Sequence, residues 1–186
     1  LFLATGDSSY LQAGIRLFEW TKENLQDPAD GLYFDNKSLN GEIGRAKFAY
    51  NSGQMMQSAA LLYRITGEKK YLQEAQRLAA ACYNRFFSHD SQSGRKYKVL
   101  NRGDVWFTAI MFRGFVELYG IDRNSLYIDA FRENLDFAWT GMREKNGLFN
   151  DDWSGKTKND SKWLLTQFAM VEMYARLAAI DKENNR

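Results

Sequence analysis

The chain holds 186 residues, 45% of them hydrophobic, with a formal net charge of +2. That length suits one domain with its own core, and the charge balance excludes a disordered polyelectrolyte and offers no electrostatic footing for nucleic acid or a membrane surface. His89 is the single histidine, which excludes a histidine-based triad or a multi-histidine metal site within the chain; acid–base chemistry falls to Asp, Glu, Tyr or Lys, and no cofactor is expected.

Cys82 is the only cysteine, so no intrachain disulfide forms. No apolar run approaches the ~20 residues that span a bilayer. A single proline suits long uninterrupted helices, and aromatic residues reach 15%, enough to ask which of them lie in loops.

The chain repeats itself. Leu1-Phe2-Leu3-Ala4-Thr5-Gly6-Asp7, then Tyr10-Leu11, returns as Leu62-Tyr63-Arg64-Ile65-Thr66-Gly67-Glu68, then Tyr71-Leu72, at a constant offset of 61 residues. A third copy, Leu118-Tyr119-Gly120 and Tyr127-Ile128, follows 56 residues later. Each copy opens a helix with one apolar stripe: Tyr10, Leu11, Gly14, Leu17, Phe18 and Thr21; Tyr71, Leu72, Ala75, Leu78, Ala79 and Cys82; Tyr127, Ile128, Phe131, Leu135 and Ala138. Steps of three and four place these side chains on one helical face, as in a surface helix packed on one side. Gly6, Gly67 and Gly120 stand where the preceding helix has to stop, the usual task of a left-handed glycine.

The preceding helices, over 54–65, 104–119 and 163–180, are apolar nearly all round and therefore read as buried on every side. The chain alternates inner and outer helices three times. Inner-to-outer turns are short, whereas the outer-to-inner connections, 27–47, 87–103 and 143–162, exceed the ~12–15 residues of ordinary loops. Repeated hairpins bring all three long loops to one end, the predicted working face.

Tetratricopeptide and ankyrin repeats have periods near ~33–34 residues. The longer spacing here fits an all-α toroid, with three inner/outer pairs forming about half of an (α/α)6 barrel. Leu1 aligns with Leu62 while the second inner helix starts near Tyr50, so residues 1–186 read as one partial domain truncated at its N-terminus. Half a ring exposes the flank of its buried helices. The expected cover is the missing N-terminal half or a second copy of the chain.

The loops carry a shorter repeat, Asp30-Gly31-Leu32-Tyr33-Phe34-Asp35-Asn36 and Asn146-Gly147-Leu148-Phe149-Asn150-Asp151-Asp152-Trp153. Rings beside carboxylates suit a pyranose, which offers an apolar face for stacking and a rim of hydroxyls for carboxylates and amides. Asp35, Tyr50, Asn51, Gln54, Asp104, Trp106 and Trp153 are the expected substrate-binding residues, on a polysaccharide or oligosaccharide. The glycines of both segments are also plain turn signals, and Tyr33, Phe34 and Phe149 also suit core caps. His89 and the basic cluster Arg95, Lys96, Lys98 and Arg102 read as solvated loop. Glycosidases place two carboxylates about 5–5.5 Å or ~6.5–9.5 Å apart; Asp151 and Asp152 are candidates for such a pair, but sequence adjacency does not aim both at one sugar.

At these residues the sequence resembles glycoside hydrolase family 76, the endo-α-1,6-mannanases. The matching stretches are Gly31-Leu32-Tyr33-Phe34-Asp35-Asn36 and Phe48-Ala49-Tyr50-Asn51-Ser52-Gly53, where the family has aromatic-Thr-Tyr-Asn-Gln-Gly. Leu61-Leu62-Tyr63-Arg64-Ile65-Thr66-Gly67 and Phe107-Thr108-Ala109-Ile110-Met111-Phe112-Arg113 come next, the latter near Phe-Lys-Gly-Ile-Phe-Val-Arg. Asp152-Trp153-Ser154-Gly155 and Leu164-Leu165-Thr166-Gln167-Phe168-Ala169-Met170-Val171-Glu172-Met173 complete the series, in the family's order. The resemblance implies hydrolysis of α-mannosidic linkages with retention, outside the cytoplasm. It also implies that the nucleophile and acid are two adjacent aspartates upstream of Leu1, so that the segment lacks catalytic residues and is inactive alone. Ser52 for Gln and Thr108-Ala109 for Lys-Gly depart from the pattern. The alternatives are a non-catalytic helical sugar-binding or interaction module, and another toroid enzyme such as a sugar epimerase or unsaturated glucuronyl hydrolase.

Overall fold

The computed structural model describes residues 1–91 and 94–185. Its helices are α1 (Phe2–Thr5), α2 (Ser8–Leu25), α3 (Ala49–Thr66), α4 (Lys69–Phe86), α5 (Val105–Asp122), α6 (Leu126–Phe137) and α7 (Leu164–Asn184). A five-residue π-helical turn, Ala138–Met142, continues α6. The only strands among the described residues form two antiparallel hairpins inside the long loops, β1 (Asn36–Lys37) with β2 (Ile43–Gly44) and β3 (Phe87–Ser88) with β4 (Val99–Leu100). The all-α reading and the alternation of inner and outer helices are borne out.

Helices α3, α5 and α7 lie side by side, α3 against α5 and α5 against α7, while α4 and α6 cover them from outside. The close approach of α3 and α5 rests on two glycines. A Cβ on Gly53 would stand 2.4 Å from Cα of Met111, and one on Gly114 would stand 2.6 Å from the Gly53 carbonyl oxygen. Between α4, α5 and α6 a ring cluster fills the core: Phe112 and Phe131 are 4.3 Å apart at their centroids, and Phe87 meets Phe131 edge-on at 5.4 Å. Such pairs add about 0.5–1.5 kcal/mol beyond burial.

The N-termini of the inner helices and the long loops share one rim. Phe48 before α3 touches Phe107 at the start of α5, and Arg95 in the second long loop donates to the Trp153 carbonyl oxygen in the third at 3.0 Å. At the opposite end the C-termini gather, with the Tyr119 hydroxyl of α5 and Asn184 of α7 in hydrogen-bond contact. The rim on which the sugar reading depends is therefore present.

Three expectations are corrected. Gly6 and Gly67 do cap their helices with φ of 72°, but α5 runs through Gly120 and stops at Arg123, a non-glycine residue at φ 55°. Left-handed backbone costs a side-chain-bearing residue about 1–2 kcal/mol; Asp122 offsets this by accepting from Asn124 N at 3.0 Å, and the Arg123 guanidinium lies over the Tyr119 ring. Only the central inner helix is enclosed on both flanks: α7 leaves Leu164, Phe168 and Val171 exposed along one face. The apolar stripe of α2 is mostly open as well, with Phe18 buried but Tyr10, Gly14 and Leu17 exposed. The stripes of α4 and α6 are covered, Tyr71, Ala75, Leu78, Ala79 and Cys82 on one, Ile128, Phe131, Leu135 and Ala138 on the other.

Candidate substrate-binding face

The first long loop turns where Asp30 Oδ1 accepts from Leu32 N at 3.0 Å and Gly31 takes φ 73°. Tyr33 N then donates to Ser52 Oγ at 3.0 Å, which fastens the loop to α3. That anchorage delivers Asp35 to the first turn of α3. There its Oδ1 accepts from the Tyr50 hydroxyl at 2.6 Å and from Asn51 Nδ2 at 3.1 Å, and its Oδ2 accepts from Asn36 at 2.8 Å. The Tyr50 hydroxyl bond, followed by those from Asn51 and Asn36, holds the Asp35 carboxyl below its ordinary range, and the same bond pushes the Tyr50 phenol up.

Tyr50 also heads a ring cluster across the starts of α3 and α5. Its ring stacks on Trp106 at 5.7 Å and 18°, and on Phe48 at 5.9 Å and 7°, with Phe107 at 4.6 Å. Trp106 Nε1 is shielded from water and has no hydrogen-bond partner among the described residues. Gln54, one turn below Tyr50, is exposed, as is Asp104 at the N-terminus of α5. Asp35, Tyr50, Asn51 and Trp106 thus form one connected group, with Gln54 and Asp104 on the neighbouring helix starts.

Trp153 is not part of it. The ring is 1% exposed and offers no face to a sugar; Arg95 binds the Trp153 and Ser154 carbonyl oxygens, each at 3.0 Å, and closes the second loop over the third. The same arginine sits 3.3 Å from the Phe137 ring centroid. Lys98 Nζ lies 4.4 Å from the Tyr83 ring centroid. The basic cluster is therefore partly structural rather than simply solvated, whereas His89 is exposed as expected.

Asp152 is 6% exposed and committed to its own turn, accepting from Ser154 N at 2.9 Å, Ser154 Oγ at 2.7 Å and Thr157 N at 2.8 Å. Burial pushes its pKa up, but these donors outweigh burial and hold it below the ordinary value of 3.8. Asp151 and Asp152 also line different pockets, the first with Phe48, Arg102 and Asp104, the second with Ser88, Asp90 and Lys156. Asp152→Ala is expected to lower unfolding free energy by about 2 kcal/mol at pH 7. Because the folded pKa lies below the unfolded one, the unfolded chain takes up the proton first as pH falls. The Asp152 contribution thus begins to fade below about pH 4, and urea unfolding should show a smaller difference between the two proteins at pH 3 than at pH 7.

The third loop repeats the first bond for bond. Asn146 Oδ1 accepts from Leu148 N at 3.0 Å, Gly147 takes φ 87°, Phe149 N donates to Gln167 Oε1 at 2.8 Å, and Asn150 N reaches the Met142 carbonyl oxygen at 2.9 Å, as Phe34 N reaches that of Leu25. Ser52 and Gln167 hold the same position, so serine at the glutamine of the family motif keeps the tether. Sequence reasoning missed Phe48, Arg102, Gly103 and Phe107 on this face, and also Trp163, 55% exposed immediately before α7. The signal was available: Phe48, Asp104 and Trp163 each stand directly before an inner helix.

The model of glycosyl hydrolase family 76 matches residues 1–185. This chain belongs to that family. The family 76 mannosidase Bt3792 from Bacteroides thetaiotaomicron VPI-5482 superposes with a TM-score of 0.91 at 39% identity, over 98% of this chain and 52% of its own. A family 76 glycoside hydrolase from a bovine Bacteroides thetaiotaomicron strain gives 0.90 at 36% identity, over 97% and 40%. The α-1,6-mannanase of Salegentibacter sp. HEL1_6, in an inactive form with two adjacent aspartates replaced and α-1,6-mannotetraose bound, shares the fold at 0.80 and 23% identity, over 96% and 55%. A comparison with curated proteins returned no match. The family 76 chain described here spans about half the length of these solved relatives. Among its described residues no helix is long and apolar enough to cross a membrane.

Proposed function

We propose that this chain is the substrate-binding half of a retaining endo-α-1,6-mannanase that works outside the cytoplasm. The carboxylates that cut the glycosidic bond belong to a complementary half of the longer protein. The single observation that carries the reading is the Asp35–Tyr50–Asn51 group stacked against Trp106 at the rim: a fixed carboxylate and amide for hydroxyls, beside rings suited to a pyranose face. Family membership supports the glycosidase class. The paired aspartates replaced in the inactive Salegentibacter mannanase support the two-carboxylate chemistry, and the commitment of Asp152 to its own turn supports placing the pair outside this segment.

Closing a ring also supplies the cover for the exposed face of α7 and for the groove of about 380 Å³ between α2 and α3, lined by Leu17, Phe18, Met55 and Leu62. An inner helix of the complementary half is the occupant we propose, with self-association of the isolated chain as the alternative outcome. Incubating the 186-residue chain with α-1,6-mannan should release no reducing sugar. Hydrolysis at an enzymatic rate, abolished by Asp151→Asn or Asp152→Asn, would place the pair in this segment and overturn the assignment. In the longer protein, Asp35→Ala should lower kcat/KM roughly tenfold to a hundredfold by removing a charge-assisted sugar contact and its hold on Tyr50.

A further inference from the structure

Lys47 and Lys162 stand at the same place in their loops. Each directly precedes the aromatic N-cap of an inner helix, Phe48 of α3 and Trp163 of α7. Each ammonium turns back into its own loop and is nearly covered, with side chains 14% and 12% exposed. Lys47 Nζ donates to Asp27 Oδ2 at 2.6 Å and to Asp30 Oδ2 at 2.8 Å, closing the first loop across 20 residues. Lys162 Nζ donates to Glu144 Oε1 at 2.8 Å, Asn150 Oδ1 at 2.6 Å and the Asn159 carbonyl oxygen at 2.8 Å, closing the third across 18. A lysine gives up much rotamer freedom when it is fixed, so two covered, multiply bonded ammoniums at matching places are unlike ordinary surface pairs. The second loop has no such lysine, because Gly103 stands before Asp104, the N-cap of α5.

The first tie reaches the Asp35 group from two sides. Upstream, Lys47 Nζ lies 5.1 Å from the ring centroid of Phe34, the residue before Asp35, and Arg45 lies 5.3 Å from the same ring. Phe34 is buried and its N–H donates to the Leu25 carbonyl oxygen at 2.9 Å. The backbone that carries Asp35 is thus pinned between the end of α2 and the ammonium. Downstream, Phe48 stacks on the Tyr50 ring at 5.9 Å and 7°, and the Tyr50 hydroxyl donates to Asp35. One ammonium fixes both the loop that brings the carboxylate and the helix start that brings its donors. The third loop repeats the arrangement: the counterpart of Phe34 is Asn150, which takes the shortest of the Lys162 bonds.

We infer that Lys47 is a positioning residue of the substrate-binding rim, an ammonium that locks the first long loop to the start of α3 and sets Asp35 against Tyr50 and Asn51. It acts through Asp35 and Phe48, not by contact with a sugar. Its consequence for sugar binding rests on the mannan reading, whereas the placement of Asp35 does not.

Carbon NMR of the aspartate carboxyls, with Asp35→Asn to identify the Asp35 signal, reads that placement. The bonds that hold the Asp35 carboxyl below its ordinary value of 3.8 come from Tyr50, Asn51 and Asn36, none from Lys47. A rise toward 3.8 in Lys47→Met therefore reports that the carboxylate has left those donors. Methionine keeps the unbranched stem and removes the charge. Lys162→Met, which loosens a different loop by the same kind of loss, should leave Asp35 titrating as in the wild type. Asp30→Asn removes the more exposed acceptor and should give a smaller rise; it replaces Lys47→Met should that variant fail to fold. In calorimetric titration with α-1,6-mannotetraose, Lys47→Met should bind roughly tenfold more weakly. An unchanged Asp35 titration in Lys47→Met and Asp30→Asn, or an equal rise in Lys162→Met, would overturn the positioning role. A rise with no loss of affinity would overturn it as a residue of the binding rim. Absence of binding by the wild-type chain, with the Asp35 rise present, would overturn the mannan reading and leave the placement of Asp35 by Lys47 standing.

Discussion

Gly53→Ala is expected to destabilise the chain by about 2–3 kcal/mol, although alanine is the better helix former by about 1 kcal/mol. The methyl group has nowhere to go: its carbon would lie 2.4 Å from Cα and 2.9 Å from N of Met111. Those are backbone atoms of the central inner helix, so relief requires α3 and α5 to part, which loosens the whole layer. Gly114 meets the same limit from the other side, its Cβ falling 2.6 Å from the Gly53 carbonyl oxygen and 2.8 Å from Met56 Cε. Gly14 on α2 supplies the contrast. It is helical and a Cβ there touches nothing within 4 Å, so Gly14→Ala should stabilise by up to about 1 kcal/mol. Urea unfolding of both variants checks the opposite signs, and equal signs would show that helix propensity, not helix–helix distance, governs Gly53.

Glu74→Ala is expected to cost about 3 kcal/mol, the low end for a buried ion pair losing one partner, since Lys22 and Arg77 keep part of their surface in water. The Glu74 side chain is 8% exposed. It accepts from Arg77 at 2.6 Å, from Gln26 at 2.8 Å and from Lys22 at 3.0 Å, joining α4 to the end of α2 and to the first loop. Arg77 passes over Gly31, where a Cβ would stand 1.6 Å from Nη1, and donates to the Gly31 carbonyl oxygen. Removing the carboxylate takes the shared acceptor from a guanidinium, an ammonium and an amide, leaving Arg77 and Gln26 only the neutral acceptors of the first loop. Burial pushes the Glu74 pKa up, yet Arg77, Lys22 and Gln26 together bring it below its ordinary value of 4.5. The stabilisation is therefore full above about pH 5 and fades as pH falls through the lower folded pKa. Glu74→Gln keeps two of the contacts and should lose less. Limited proteolysis should show the 27–34 segment opening first in Glu74→Ala.

Periodicity alone placed the three outer helices, the buried helices before them and the rim, because burial on one or on all faces leaves a mark in the order of apolar residues. The loop motif and the inner-helix starts put Asp35, Tyr50 and Asn51 on one face; that they bond to one another is legible only in the structure. The failures share a cause of another kind. Trp153 sits in a stretch rich in Asp, Ser and Gly that reads as open loop, yet its ring joins the buried core and Arg95, from a distant loop, binds its carbonyl oxygen. Arg123 caps α5 because Asp122 and Tyr119 support a left-handed arginine, while the more obvious Gly120 is carried inside the helix. The bare faces of α2 and α7 follow from where the layer of inner helices ends, as half a ring implies, but which residues lie on them is not recorded in local pattern.

The shared direction of α3, α5 and α7 has an electrical consequence. Each helix carries roughly half a positive charge at its N-terminus and half a negative charge at its C-terminus, so three such ends add at the rim and three opposite ends add at the base. Asp35, Asp104 and Asp151 cluster where the summed potential favours anions; Arg64, Arg123 and Lys182 stand at the other pole. The loop end is therefore the pole that favours acceptors for hydroxyl-rich ligands, with Arg102 beside Asp104 and Asp151 in one pocket.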